Sequence, residues 1–149
     1  MNFSKTTEYS LRILIYMAVE PDKQYSSEML KDNLEIPYRY LRKQLTRLVK
    51  SGLLLSKQGK SGGYQIARPL KEITLYDIVN AAGEKQSYHV CFFGFETCMF
   101  GEKCIMHDKW QKIQDSLNEL LKNTTLEELR ENGPERFLIQ HNLMLTKNV

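Results

Sequence analysis

Three thiols and an imidazole crowd into one stretch of the sequence: Cys91, six residues, Cys98, five residues, Cys104, two residues, His107. Thiolates are preferred ligands of zinc and of iron-sulfur clusters, and imidazole serves both, so this spacing predicts a metal centre. Ligand chemistry leaves the two open. A Cys₃His zinc site uses the same donors, at a spacing close to that of eukaryotic CCCH fingers, which usually place three residues before the histidine. Unrelated core cysteines have no reason to cluster in this way. With 3 cysteines, not all can pair within the chain. Met1 to Lys5 shows no basic region leading into an apolar stretch and cleavage site, so a cytoplasmic protein is expected. In that compartment clustered thiols bind metal or carry redox chemistry more often than they form bridges.

The second chemical pattern is charge. A net charge of +3 hides a one-sided block: between Glu35 and Glu72 stand Arg39, Arg42, Lys43, Arg47, Lys50, Lys57, Lys60, Arg68 and Lys71, with no acidic residue. Residues 81–149 are slightly acidic in balance. A block of one sign suggests a polyanion partner, although charge runs are often only solvated surface. What decides between these is the set of elements that carries the charges.

Helical spacing of Leu11, Leu14, Ile15 and Ala18 predicts a first helix over about Thr6 to Val19. Ser26-Ser27-Glu28 supplies a cap for a short second helix to about Asn33, with Met29 and Leu30 turned inward. Leu34 to Pro37 reads as a tight apolar turn, with Pro37 at the first position of a third helix over about Tyr38 to Lys50. The inward stripe of that helix is Leu41, Leu45 and Leu48, and its opposite face carries Arg39, Arg42, Lys43, Thr46 and Lys50. Leu53 to Gln58 and Tyr64 to Ala67 then read as two strands around Gly59-Lys60-Ser61-Gly62-Gly63. Short helix, turn, basic-faced helix and glycine-rich hairpin, in that order, predict a winged helix-turn-helix that binds double-stranded DNA.

Beyond Pro69, Thr74 caps a short helix from Leu75 to Ala82. A loop from Glu84 to Lys103 holds Cys91 and Cys98 among Phe92, Phe93, Phe95 and Phe100, too apolar a set to lack a packing partner. A long helix from about Cys104 to Lys122 presents Trp110, Ile113, Leu117 and Leu120, a stripe suited to joining two copies of the chain. Thr125-Leu126-Glu127-Glu128 opens a last short helix as a capping box. The fold class expected is mainly α with a small β-hairpin. At 149 residues, 42% of them hydrophobic and 26% charged, the chain has the makings of a folded core. Its longest uncharged apolar run, Ile13 to Val19, falls short of the roughly 20 residues that span a membrane. No Ser-His-Asp set, carboxylate pair, phosphate loop or nucleotide fingerprint suggests an enzyme.

Taken together, these motifs resemble the Rrf2 family of winged-helix regulators, over about residues 1–130. Thr7 to Ala18 looks like the first helix of its nitric-oxide-sensing members, and Gly59 to Tyr64 like the family's wing. Cys104-Ile105-Met106-His107 through Trp110, and Thr125 to Leu129, are similar to its iron-sulfur regulators. The resemblance implies a 2Fe-2S or 4Fe-4S cluster on Cys91, Cys98 and Cys104, a homodimer joined by the long helix, and DNA binding controlled by the state of the cluster. It divides the chain into a DNA-binding domain (1–83), a cluster-binding loop (84–103) and a dimerisation helix with a C-terminal helix and tail (104–149). For the fourth ligand it offers two residues: His107, or Glu8 reaching the partner subunit's cluster. A neutral imidazole is the softer iron ligand and lies within a turn of Cys104, which ranks His107 first. Relatives carry Arg just before the wing glycine, where this chain has Gln58 between Lys57 and Lys60, so minor-groove reading by arginine is not expected. Arg39, Arg42 and Lys43 are expected at base edges, with Tyr38 beside them, and Thr46, Lys50, Lys57, Gln58 and Lys60 at phosphates or the minor groove. A clusterless thiol sensor that binds DNA is the alternative, and after it a zinc-stabilised module for RNA or protein.

Overall fold

A computed structural model describes residues 3–84, 90–100 and 104–133. The ends of the 84–103 loop at 85–89 and 101–103, and the tail from 134, lie outside the described residues. The order of elements is α1 (Lys5–Ala18), α2 (Ser27–Leu34), α3 (Tyr38–Lys50), β1 (Leu54–Lys57), β2 (Gly63–Ile66), a 3₁₀ turn (Leu70–Glu72), α4 (Leu75–Ala81), α5 (Ile105–Asn123) and α6 (Leu126–Asn132). Helix, turn, helix and hairpin form the expected winged helix-turn-helix. Among the described residues no helix is long and apolar enough to cross a membrane.

Capping sets most of the boundaries. Ser4 accepts from the Thr7 amide to start α1, Ser26 from the Met29 amide to start α2, and Thr125 from the Glu128 amide to start α6. At α4 the box is complete: the Asp77 amide donates to Thr74 Oγ1 at 3.2 Å, and the Thr74 amide donates back to Asp77 Oδ2 at 2.9 Å. Pro37 stands one position earlier than expected, as the N-cap of α3, its carbonyl accepting from the Leu41 amide. The turn before it is closed by Glu35 at φ 53°, a left-handed position more often filled by glycine.

Leu41, Leu45 and Leu48 are fully buried, as their spacing predicts, and meet Ile13, Leu14 and Met17 of α1. The inward face of α1 differs from the expected stripe: Thr7, Ser10, Ile13, Leu14, Met17 and Ala18 are buried, whereas Leu11 and Ile15 are only half-buried. The physical reason is a polar contact across the core. Ser10 Oγ donates to Gln44 Oε1 of α3 at 3.4 Å, which gives both side chains, each about 1% exposed, a partner between α1 and α3.

The hairpin pairs Leu54 with Ile66 and Lys57 with Gly63 in antiparallel register. Tyr25 adds a one-residue third strand, exchanging two backbone hydrogen bonds of 2.8 Å with Tyr64. Gly63 permits that approach. It sits at φ 144°, and a Cβ there would stand 2.5 Å from the Tyr25 carbonyl oxygen. Gly63→Ala is therefore expected to cost about 2 kcal/mol or more, seen as a drop of several degrees in a thermal melt. An unchanged melting temperature would mean that Tyr25 and the hairpin do not pack this closely.

The last helix closes on the first half of the chain. The Leu75 amide donates to the Thr124 carbonyl, the Leu126 amide to the Ile73 carbonyl, both at 2.9 Å, and Leu126 is fully buried in the core that holds Ile13. α5 thus leans on the body chiefly through its C-terminal half, where Leu117 and Leu121 pack against Val79 and Leu75 of α4.

Candidate functional site

Two surfaces gather the residues that the sequence singles out. On the first, Arg39, Arg42, Lys43, Thr46 and Lys50 are all exposed on the outer face of α3, and Lys57, Gln58 and Lys60 are exposed on the hairpin. Arg47 leaves this set: half-buried, it donates from Nη1 to the Ala82 carbonyl at 3.3 Å and ties α3 to the end of α4. Tyr38 organises its cationic neighbours. Its ring lies 5.9 Å from Lys31 Nζ and 5.8 Å from the Arg42 guanidinium carbon, a cation-π arrangement that limits the freedom of Arg42. Thr46 Oγ1 donates to the Arg42 carbonyl at 3.0 Å, a common use of threonine within a helix that leaves its lone pairs outward.

Sequence reasoning missed Tyr40. It is 54% exposed on the first turn of α3, its ring 6.3 Å from that of Tyr9, over which Arg12 lies at 5.9 Å. The available signal was an aromatic residue off the apolar stripe of a helix whose outer face is otherwise charged. Tyr16 and Tyr25, by contrast, belong to the core. Burial and then the Glu20 charge push both phenols above the usual tyrosine range, so neither is an acid or base near neutrality.

On the second surface, Cys91, Cys98, Cys104 and His107 line one cavity of about 110 Å³, walled by Phe92, Phe95 and Trp110. Cys104 is the N-cap of α5, and the His107 amide donates to its carbonyl at 3.0 Å, so the helix start presents a thiol and an imidazole together. The three cysteines are half-buried. Glu96 and Met106 also line the cavity, a carboxylate and a thioether outside the expected donor set. Among the described residues, no three His, Cys, Asp or Glu side chains converge closely enough to hold a single ion. The four expected donors thus share a cavity wall without closing on a common point. The start of α5 also favours negative charge, as a thiolate-ligated cluster carries. Glu8 lies elsewhere, on the first turn of α1, paired with Lys5 at 2.7 Å.

The long-helix stripe is divided. Leu117 and Leu121 face the body, Trp110 and Gln114 face the cysteine loop, and Ile113 and Leu120 are each 56% exposed. Ile105, Met99 and Phe100 are exposed as well, so the uncovered apolar surface gathers on the cysteine loop and α5.

The chain is 31% identical over 131 residues to a protein of Aquifex aeolicus described as an HTH-type transcriptional regulator, covering 87% of this chain and 91% of that one. It is 34% identical over 97 residues to the transcriptional regulator IscR of Pectobacterium atrosepticum, a match that covers 65% of this chain and 58% of that one. Among solved structures, CymR, the global cysteine regulator of B. subtilis, superposes with a TM-score of 0.74 at 25% identity, over 88% of this chain and 97% of that one. Residues 3–132 match Rrf2, described as an iron-dependent transcriptional regulator. The chain therefore belongs to the Rrf2 family, whose members are transcriptional regulators and not enzymes.

Proposed function

We propose that this regulator binds a palindromic operator as a homodimer, under the control of an iron-sulfur cluster held by Cys91, Cys98, Cys104 and His107. The observation that carries the reading is that three thiols and an imidazole line one cavity. When bound, a cluster supplies a centre sensitive to redox state, nitric oxide and iron supply. The chain's own residues turn its presence into a change at DNA. With a cluster bound, the donors would tie the loop around Cys91 and Cys98 to the first turn of α5, since all four line the same cavity. α5 bears on Val79 of α4 through Leu117 and Leu121, and the end of α4 is held to α3 by Arg47. Tightening or freeing the loop thus acts on an element in contact with the recognition helix. Exposed Ile113 and Leu120 offer the apolar surface for a second copy, and a two-fold axis gives the operator its symmetry. In this reading residues 1–83 bind DNA, 84–103 hold the cluster, and α5 within 104–149 joins the subunits in the cytoplasm.

On DNA, Arg39, Arg42 and Lys43 read base edges beside Tyr38, while Thr46, Lys50, Lys57, Gln58 and Lys60 contact phosphates or the minor groove. Anaerobic isolation followed by a visible spectrum and counts of iron and acid-labile sulfide tests the cluster. A colourless protein that binds its operator and responds to oxidants would favour the second reading, a clusterless thiol sensor. That reading draws support from the same half-buried thiols and from the likeness to a cysteine regulator. About one zinc per chain with a preference for RNA would instead favour a zinc-stabilised module.

A further inference from the structure

The Val90 carbonyl oxygen, one residue before Cys91, accepts two side-chain hydrogen bonds from a single face of α5. Trp110 Nε1 donates to it at 2.8 Å and Gln114 Nε2 at 3.2 Å. The donors are four residues apart, about one helical turn, so both reach the same oxygen. Gln114 is 5% exposed, although amides ordinarily stay at the surface. Its burial calls for a partner, and the Val90 carbonyl supplies one. On the other side of Cys91, Phe92 meets Trp110 edge-on with ring centroids 5.5 Å apart, and the Gly94 amide closes a turn onto the Cys91 carbonyl at 2.8 Å. Cys91 is thus held between two anchored residues, in the cavity that Cys104 and His107 reach from the helix itself.

We propose that Trp110 and Gln114 are positioning residues, whose clasp on Val90 sets Cys91 in the cavity before any metal binds. The consequence for a loaded protein rests on reading the cavity as a cluster site; the holding of Cys91 belongs to the metal-free chain. A ligand already in place leaves less chain to be ordered on loading, so the clasp slows loss of the bound group.

The test uses the full chain, reduced and metal-free, followed by amide hydrogen exchange with mass spectrometry. Trp110→Phe keeps a ring against Phe92 and removes only the donor; Gln114→Leu removes the other donor at similar volume. The Gly94 amide, which donates to the Cys91 carbonyl, is expected to exchange about five-fold faster on loss of either bond, and about 25-fold faster on loss of both. The amides of Leu117 to Leu121 should keep their rates in every variant. In reconstituted protein, decay of visible absorbance under a chelator should accelerate in the same order of variants. Faster local exchange in a chain that takes up no cluster would sink the cluster reading and leave the clasp standing. Unchanged exchange of the Gly94 amide in the double variant would overturn the clasp even in a protein that loads fully. If Gln114→Leu fails to fold, Trp110→Phe alone carries the comparison, because it keeps the aromatic packing.

Discussion

Anaerobically isolated protein is expected to be brown, and Cys91→Ala, Cys98→Ala and Cys104→Ala are each expected to reduce its iron and sulfide to background. The effect should be close to complete because the cavity offers few soft donors to replace a lost thiolate. His107→Ala should behave differently. It removes one neutral ligand, so the colour should survive isolation but bleach faster than wild type under air or a chelator. Glu8→Ala should bleach at the wild-type rate, because Glu8 is paired with Lys5 on α1 and does not line the cavity of its own chain. The measurement is absorbance against time, with iron counted at the start. Retention of the full cluster after any one cysteine change would remove that residue from the ligand set. Bleaching in Glu8→Ala, with His107→Ala unchanged, would reverse the ranking and imply a ligand that crosses between subunits.

Legibility of the fold followed where local signals were strong. The bounds of α3 coincide with the prediction, because Leu41, Leu45 and Leu48 leave one apolar stripe on an otherwise charged helix. The serine and threonine caps of α2, α4 and α6 were equally readable, since each is a local hydrogen bond encoded within four residues. The face of α1 was harder. Ser10 and Gln44 are buried only because they satisfy one another across 34 residues of sequence, and hydroxyl and amide side chains read locally as surface. On α5 the residues 113, 117 and 120 and the residues 114, 117 and 121 form overlapping stripes about 65° apart. Leu121 takes the second toward the body, and the burial of Gln114 within it depends on the Val90 carbonyl, a backbone group with no sequence signature. The same holds for the return of α6, whose two backbone bonds to residues 73 and 75 link positions some fifty residues apart. That Cys91, Cys98, Cys104 and His107 share one cavity was legible, because residues at such short spacing stay close in space. Its aromatic wall was legible only as an apolar loop in need of a partner.

The basic face yields the last expected result, a separation of base reading from charge attraction. Arg39 and Arg42 are exposed on α3, the latter steadied beside the Tyr38 ring at 5.8 Å, so less side-chain entropy is lost when its guanidinium meets a base edge. An arginine fork on guanine is worth about 1 to 3 kcal/mol of discrimination. Arg39→Ala or Arg42→Ala should therefore narrow the gap between operator and random DNA by roughly five- to 150-fold at fixed salt. Lys60, exposed in the turn of the hairpin, has neither a fork nor an aromatic neighbour to orient it. An ammonium on a phosphate attracts every sequence alike, so Lys60→Ala should weaken both complexes together and lower the slope of log affinity against log salt by about one. Tyr38→Phe should keep the Arg42 contact, since the ring faces survive, whereas Tyr38→Ala should reproduce part of the Arg42→Ala loss. Fluorescence titrations of operator and scrambled duplexes at two or more salt concentrations read all of these quantities. If both arginine variants left the gap unchanged while Lys60→Ala narrowed it, base reading would belong to the hairpin, and α3 would serve mainly as an electrostatic anchor.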